Sequence, residues 1–164
     1  MKLWLLAGIV ALCVGYFDLL PFESVDAGEL YIVETLLVEE HDRGVSLYAG
    51  EAEGHGTSLD AALADMKDWA PGQLFLRQTK RIIFCGGEVM NPMELPETLP
   101  MGAGVYGSEE SAKTLLDAKD LEDILEARER RQDNMPTLAD LKNSALLGKT
   151  MKLSALDWEE EHEA

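Results

Sequence analysis

The sequence predicts an α+β domain, a small mixed sheet with helices packed on it, preceded by an N-terminal apolar signal or anchor helix. Three observations carry this. The runs ELYIVETLLVEE and RIIFC are rich in branched and apolar residues and read as strands. Between and after them, apolar residues recur at helical spacing. Ahead of them stands MKLWLLAGIVALCVGYF, in which one lysine is followed by an uncharged run from Leu3 to Phe17.

That first segment sets the domain organisation. The apolar run of about fifteen residues falls short of the roughly twenty that span a bilayer. A basic start before a short apolar stretch is the layout of a secretory signal. The apolar residues of DLLPF, beyond Asp18, would extend it into a short signal-anchor; a buried core segment is the alternative. Residues 1–22 are read as a signal peptide or membrane anchor, and 23–164 as an extracytoplasmic α+β domain. Cys13 lies within the apolar run, and VALC resembles a bacterial lipobox, with Leu12 where a small residue is expected. Cys13 is therefore a candidate for lipidation. Cys85 is then left alone and reads as a small buried hydrophobe.

The elements follow in order. Phe22 to Gly28 is a linker, and ELYIVETLLVEE is the first strand. HDRG is a turn, with Asp42 and Gly44 in turn-favoured roles. VSLYAGEAE is the second strand of a hairpin, with Val45, Leu47 and Ala49 on one face. Gly50, Gly54 and Gly56 then read as a flexible exit leading to a helix capped by Thr57 or Ser58. Its apolar positions are Leu59, Ala62, Leu63, Met66 and Trp69, Asp60 suits its positive end, and Ala70-Pro71-Gly72 stops it. Leu74 to Leu76 form a short apolar turn, and Ile82 to Cys85 a buried strand. Prolines 92, 96 and 100 mark a loop or broken helix, and GAGVY a short strand. SEESAKTLLDAKDLEDILEARERR is helical, with Ala112, Leu115, Leu116, Leu121, Ile124 and Leu125 apolar. TLADLKNSALLGK is a further helix, with Thr137 as its cap and Gly148 as its stop. TMKLSALDWEEE adds a short extended piece and a last helical turn, and DWEEEHEA is a frayed helix end.

Charge narrows the function. Fourteen Lys and Arg stand against thirty-one Asp and Glu, a formal net charge of −17. Nucleic acid, whose phosphates would be repelled, is excluded as a partner. No motif supplies a catalyst. The glycine stretch YAGEAEGHGTSLD has no lysine for a phosphate loop and no G-x-G-x-x-G, and Glu51 and Glu53 would repel phosphate. His41, His55 and His162 lack metal-ligand spacing, so no metal or cofactor is expected. No nucleophile sits in an elbow motif. Carboxylate pairs such as Glu39-Glu40 and Glu109-Glu110 are too common here to single out. Met90, Met93 and Met101 mark either an adaptable contact surface or loop packing.

Against this background the order of features resembles the N-terminal domain of the C subunit of bacterial spore germinant receptors, the Ger(x)C family. LYIVETLLVE (30–39) is similar to that family's first strand, with Phe17-Asp18 in place of its Trp-Asp. Glu53-Gly54, Thr57 and Ala61-Ala62 match its Glu-Gly, its Thr or Ser and its early helical alanine. LFLRQTKRIIFCGGE resembles its leucine-rich turn, basic residue (Lys80) and apolar strand ending in Gly-Glu, with Gln78 where the family often has His. SAKTLLDAKDLED and PTLADLKNSALLGK resemble its later helices, so the likeness covers most of residues 28 to 157.

The resemblance implies a non-enzymatic, membrane-associated accessory protein in spore germination, a stand-alone first domain of that architecture. It would sit on the extracytoplasmic face of the cell or spore inner membrane and assemble with integral-membrane subunits of a germinant receptor. The expected interaction loops are Gly50 to Thr57, with Glu53, Gly54, His55 and Thr57, and Pro92 to Met101. The alternative is an exported hydrolase or cation-binding enzyme that uses acidic cleft residues, with His41 or His55 beside them.

Overall fold

The computed structural model describes residues 29–86, 91–118, 120–131, 135–151 and 153–155. The signal or anchor, Cys13, Met90, His162 and the acidic tail lie outside the described residues.

The first predicted strand is two. β1 (Leu30–Ile32) and β2 (Thr35–His41) are separated at Val33 and Glu34, whose carbonyls serve the incoming chain. The Val33 carbonyl accepts from Thr79 Oγ1 at 3.0 Å, and the Glu34 carbonyl accepts from the N–H groups of Lys80 and Arg81. β3 (Gly44–Ala49) returns antiparallel to β2 in the expected hairpin. The predicted second strand also divides, and its far half is β4 (Ala52–Gly56), antiparallel to β3.

α1 (Leu59–Trp69) follows, with Ser58 as its N-cap and Ala70 as its C-cap. Leu59, Ala62, Leu63 and Met66 are buried, as the spacing predicts, but Trp69 is exposed. β5 (Gln73–Phe75) pairs in parallel with β1, and a 3-10 turn over Leu76–Gln78 leads to β6 (Arg81–Cys85). All five residues of β6 are buried, the pattern of a strand covered on both faces.

The proline segment carries a 3-10 turn at Pro92–Glu94 and delivers β7 (Gly104–Gly107). The predicted long helix is two, α2 (Ala112–Asp117) and α3 (Leu121–Arg131). α4 (Leu138–Leu146) begins at a capping box: Thr137 Oγ1 accepts from the Asp140 N–H, and the Asp140 carboxylate accepts from the Thr137 N–H. That carboxyl is held below its usual range by the Thr137 hydroxyl and N–H. β8 (Ser154–Ala155) closes the described chain.

The main sheet runs β4-β3-β2-β6-β7-β8, with β2, β6, β7 and β8 parallel and the β3–β4 hairpin antiparallel at one side. The fold is therefore α+β with a mixed sheet and helices on both faces, six strands wide in its main sheet. On the first face Leu36, Val38, Leu47, Ile82, Phe84 and Val105 meet α1, α4 and the proline segment. Leu95 and Leu99 of that segment are buried, whereas Met93 and Met101 are exposed, so the leucines and not the methionines pack it down. On the second face Leu37, Tyr48, Ile83, Cys85 and Tyr106 meet α2 and α3. Burying one large apolar side chain contributes about 1.5–3 kcal/mol, and each face has several.

Two glycines set the spacing of the first face. A Cβ on Gly54 would collide with the Ala62 carbonyl and the Met66 backbone, and one on Gly56 with Ala61 and Ala62. α1 thus lies directly against β4. The sequence reading of these glycines as a flexible exit is corrected: they are strand residues with a helix pressed on them.

Candidate functional site

The expected interaction loop Gly50 to Thr57 is a tight turn followed by an edge strand, because Ala52 to Gly56 pair with β3. A strand sends alternate side chains to opposite faces. Glu53 and His55 accordingly stand exposed on the second face, Gly54 is buried under α1 on the first, and Thr57 is exposed at the turn into α1. Only Glu53 and His55 of the four candidates share a surface.

That surface continues into β3 and β2 through the register His55–Ser46–Glu39. Ser46 Oγ and His55 Nδ1 are 2.9 Å apart, and the imidazole stands edge-on to Tyr48 with ring centroids 5.9 Å apart. His41 Nε2 lies 3.9 Å from Glu39 Oε2. The His55 backbone N–H donates to Asp65 Oδ2 at 2.8 Å, so α1 reaches round the sheet edge to hold β4.

The chemistry open to this patch is limited. A hydrolytic triad needs a base whose ring is oriented by a third group. Here the Asp65 carboxylate engages the backbone of His55 instead of its ring, and Ser46 is only 6% exposed. Cys85 lies on the same face, but burial, reinforced by the Glu39 carboxylate, pushes its thiol up to about 12. It stays protonated and unreactive near neutral pH, consistent with the small-hydrophobe reading. Among the described residues no three His, Cys, Asp or Glu side chains are placed to hold a metal ion.

A second constellation escaped the sequence reading. Arg81 opens β6 and points, like Ile83 and Cys85, to the second face. Its Nε and Nη2 donate to the two carboxylate oxygens of Glu129 at 2.6 and 3.0 Å, and its Nη1 donates to Glu122. The Tyr106 hydroxyl donates to Glu129 Oε1 at 3.0 Å, and the Thr35 hydroxyl to Glu122 Oε1 at 2.9 Å. β2, β6 and β7 are thereby tied to α3 through its two glutamates, with Arg81 as the shared cation. The Arg81 side chain is 5% exposed, while Glu122 and Glu129 remain 58% and 38% exposed at the rim.

Each member biases the others. The hydrogen bond to Arg81 holds the Glu129 carboxyl below its ordinary value, against the opposing effect of burial. Glu129, first through its hydrogen bond, holds the guanidinium above its ordinary value despite burial. Burial, and then Glu129, raises the Tyr106 phenol. A buried cation in bidentate contact with a carboxylate is a strong, directional fastening. All three of its nitrogens are engaged with α3, so the guanidinium fastens that helix to the sheet. A faint signal exists in the sequence: Glu122, Leu125 and Glu129 recur at helical spacing, one stripe of α3 with a buried leucine at its centre. The basic residue picked out by the family resemblance, Lys80, instead forms an exposed pair with Glu34 at 3.0 Å.

No known protein family, curated protein or solved structure matches the chain.

Proposed function

We propose that this protein is a non-enzymatic, membrane-associated accessory protein that works as the first domain of a spore germinant receptor C subunit does. In this reading residues 1–22 carry it to the extracytoplasmic face of the cell or spore inner membrane. There it assembles with integral-membrane subunits of a germinant receptor and passes on their ligand-driven changes by contact.

One observation carries the reading. It is the order of features in residues 30 to 86, in which the stretch 30–39 that resembles the family's first strand forms β1 and β2. A strand at Thr35–His41 is followed by Glu53-Gly54, by Thr57 before α1 with Ala61-Ala62, by the leucine-rich turn at Leu76–Gln78, and by the buried strand Arg81–Cys85. The exported-hydrolase alternative has less support. His41 and His55 make separate contacts, with Glu39 and with Ser46, and do not converge on a shared pair of carboxylates.

The test is to express the full chain in a sporulating host, fractionate the cells, and measure the intact mass of the membrane-extracted protein. Recovery in the membrane is expected, with a mass reporting either processing before Cys13 with added diacylglycerol or a retained anchor. Cross-linking should then capture integral-membrane receptor subunits. Recovery solely in the cytosol would end the proposal.

A further inference from the structure

Most large apolar side chains of this domain are inside, which makes the exceptions informative. Six among the described residues are conspicuously exposed, and three of these, Ile32 (47%), Trp69 (75%) and Met101 (48%), stand at one end of the fold. That end is defined by the starts of the parallel strands, where Thr35, Arg81 and Gly104 are in register.

The surrounding contacts place each residue there. Ile32 lies opposite Phe75 in the β1–β5 pair, and Tyr31 of that pair donates its hydroxyl to the Ala49 carbonyl at 2.7 Å, at the end of β3. Trp69 ends α1, three residues before Gly72, which packs against the Glu29 carbonyl. Met101 precedes β7, whose first N–H, from Gly104, donates to the Lys80 carbonyl at 2.8 Å. Half-buried Tyr31 and Leu74 pack against the first-face core.

The exposed ionisable groups around these contacts are of mixed sign: Lys67, Arg77 and Lys80 with Glu29, Glu34, Glu51, Asp68 and Glu122. This end is also where the chain arrives from its apolar N-terminal stretch: Glu29 and β1 follow Leu3–Phe17 by about a dozen residues in sequence.

We infer that this end is a membrane-resting surface, with Trp69, Ile32 and Met101 seated at the lipid–water interface of the bilayer. An amphipathic indole is favoured at headgroup level. The inference rests on the membrane-tethered reading above and adds an orientation to it: α1 and the parallel strands stand upright, with their far ends and helical faces turned to the aqueous side.

The test uses the full chain carrying W4F/W158F, so that Trp69 is the one tryptophan, in vesicles of phosphatidylcholine with a minority of phosphatidylglycerol. Flotation after an alkaline wash reports the anchor. Emission with brominated against ordinary lipid reports Trp69. Flotation with Trp69 emission roughly halved by brominated lipid is expected for a ring at interfacial depth, and I32S/M101S should reduce that quenching while flotation persists. Flotation without quenching overturns the orientation, leaves the anchor reading intact and assigns the apolar end to a protein partner. Failure to float overturns both. Amide exchange on the wild-type chain gives an independent readout: the backbone around Ile32 and around Trp69 should be slowed on vesicles relative to detergent, and equal rates would also overturn the inference.

Discussion

The two faces of the sheet are held by different physics. On the first, α1 is pressed onto β4 so closely that only glycine fits at positions 54 and 56, and Leu59, Ala62, Leu63 and Met66 fill the remaining space. On the second, α3 contributes just two buried apolar residues, Leu121 and Leu125, and is fastened by the Arg81 guanidinium to Glu122 and Glu129. Close packing is non-directional and tolerates no added volume. An ionic fastening is directional, fixes which stripe of α3 meets the sheet, and depends on protonation.

The sharpest way to break the first face is Gly54→Ala. The added Cβ meets helix backbone, which cannot swing aside like a flexible side-chain end. Destabilisation by about 3 kcal/mol, toward the upper end for overpacking, is expected in urea unfolding. An effect below about 1 kcal/mol would show that α1 can ride up off β4.

Arg81→Met tests the second face. It keeps the buried stem but leaves Glu129 and Tyr106 without their cation. Removing one partner of a fully buried pair costs about 3–5 kcal/mol. Because both carboxylates are partly solvated, about 2 kcal/mol is the discounted expectation in the same unfolding measurement. Combining the two substitutions should give nearly additive losses, since they lie on opposite faces.

The smallest and most discriminating effect is in pH. The folded-state Glu129 carboxyl is held below its ordinary value of 4.5, chiefly by Arg81. Its stabilising contribution is therefore complete above the unfolded value and is lost as pH falls through the lower, folded value. Wild type should exceed Glu129→Gln in stability at neutral pH, and the gap should close in acid, as thermal melts across that range would report. Tyr106 works at the other extreme. Its phenol is raised in the fold, so its contribution is intact below the ordinary value of 10 and declines as pH climbs past it. No matching acid-dependent gap is expected for Gly54→Ala.

The same contrast explains what the sequence revealed. α1 and β6 were legible because their apolar positions are numerous and periodic, and Ser58 and Thr137 are strong caps. β4 was misread as a loop because close helix contact had replaced the side chains that usually announce a strand with glycines. α2 ends at its C-cap Ala118, with no Gly or Pro to mark the break. The split of residues 30–41 at Val33 and Glu34 depends on carbonyl contacts with Thr79, Lys80 and Arg81, far along the chain. The Arg81 network joins residues 41 and 48 positions apart, and a single sequence does not show which glutamate meets which arginine. Of the candidate loop, Glu53 and His55 share an exposed face, but their neighbours Ser46 and Tyr48 come from strand register, which only the folded backbone supplies.

The Asp65 carboxylate bound to the His55 N–H has a consequence for how the domain can be handled by its neighbours. β4 is a border of the sheet, and a border with open donors invites another chain to add itself as one more ribbon. Here an incoming chain must first evict a charged side chain from that donor. Fibre-like growth is discouraged at this point of the border.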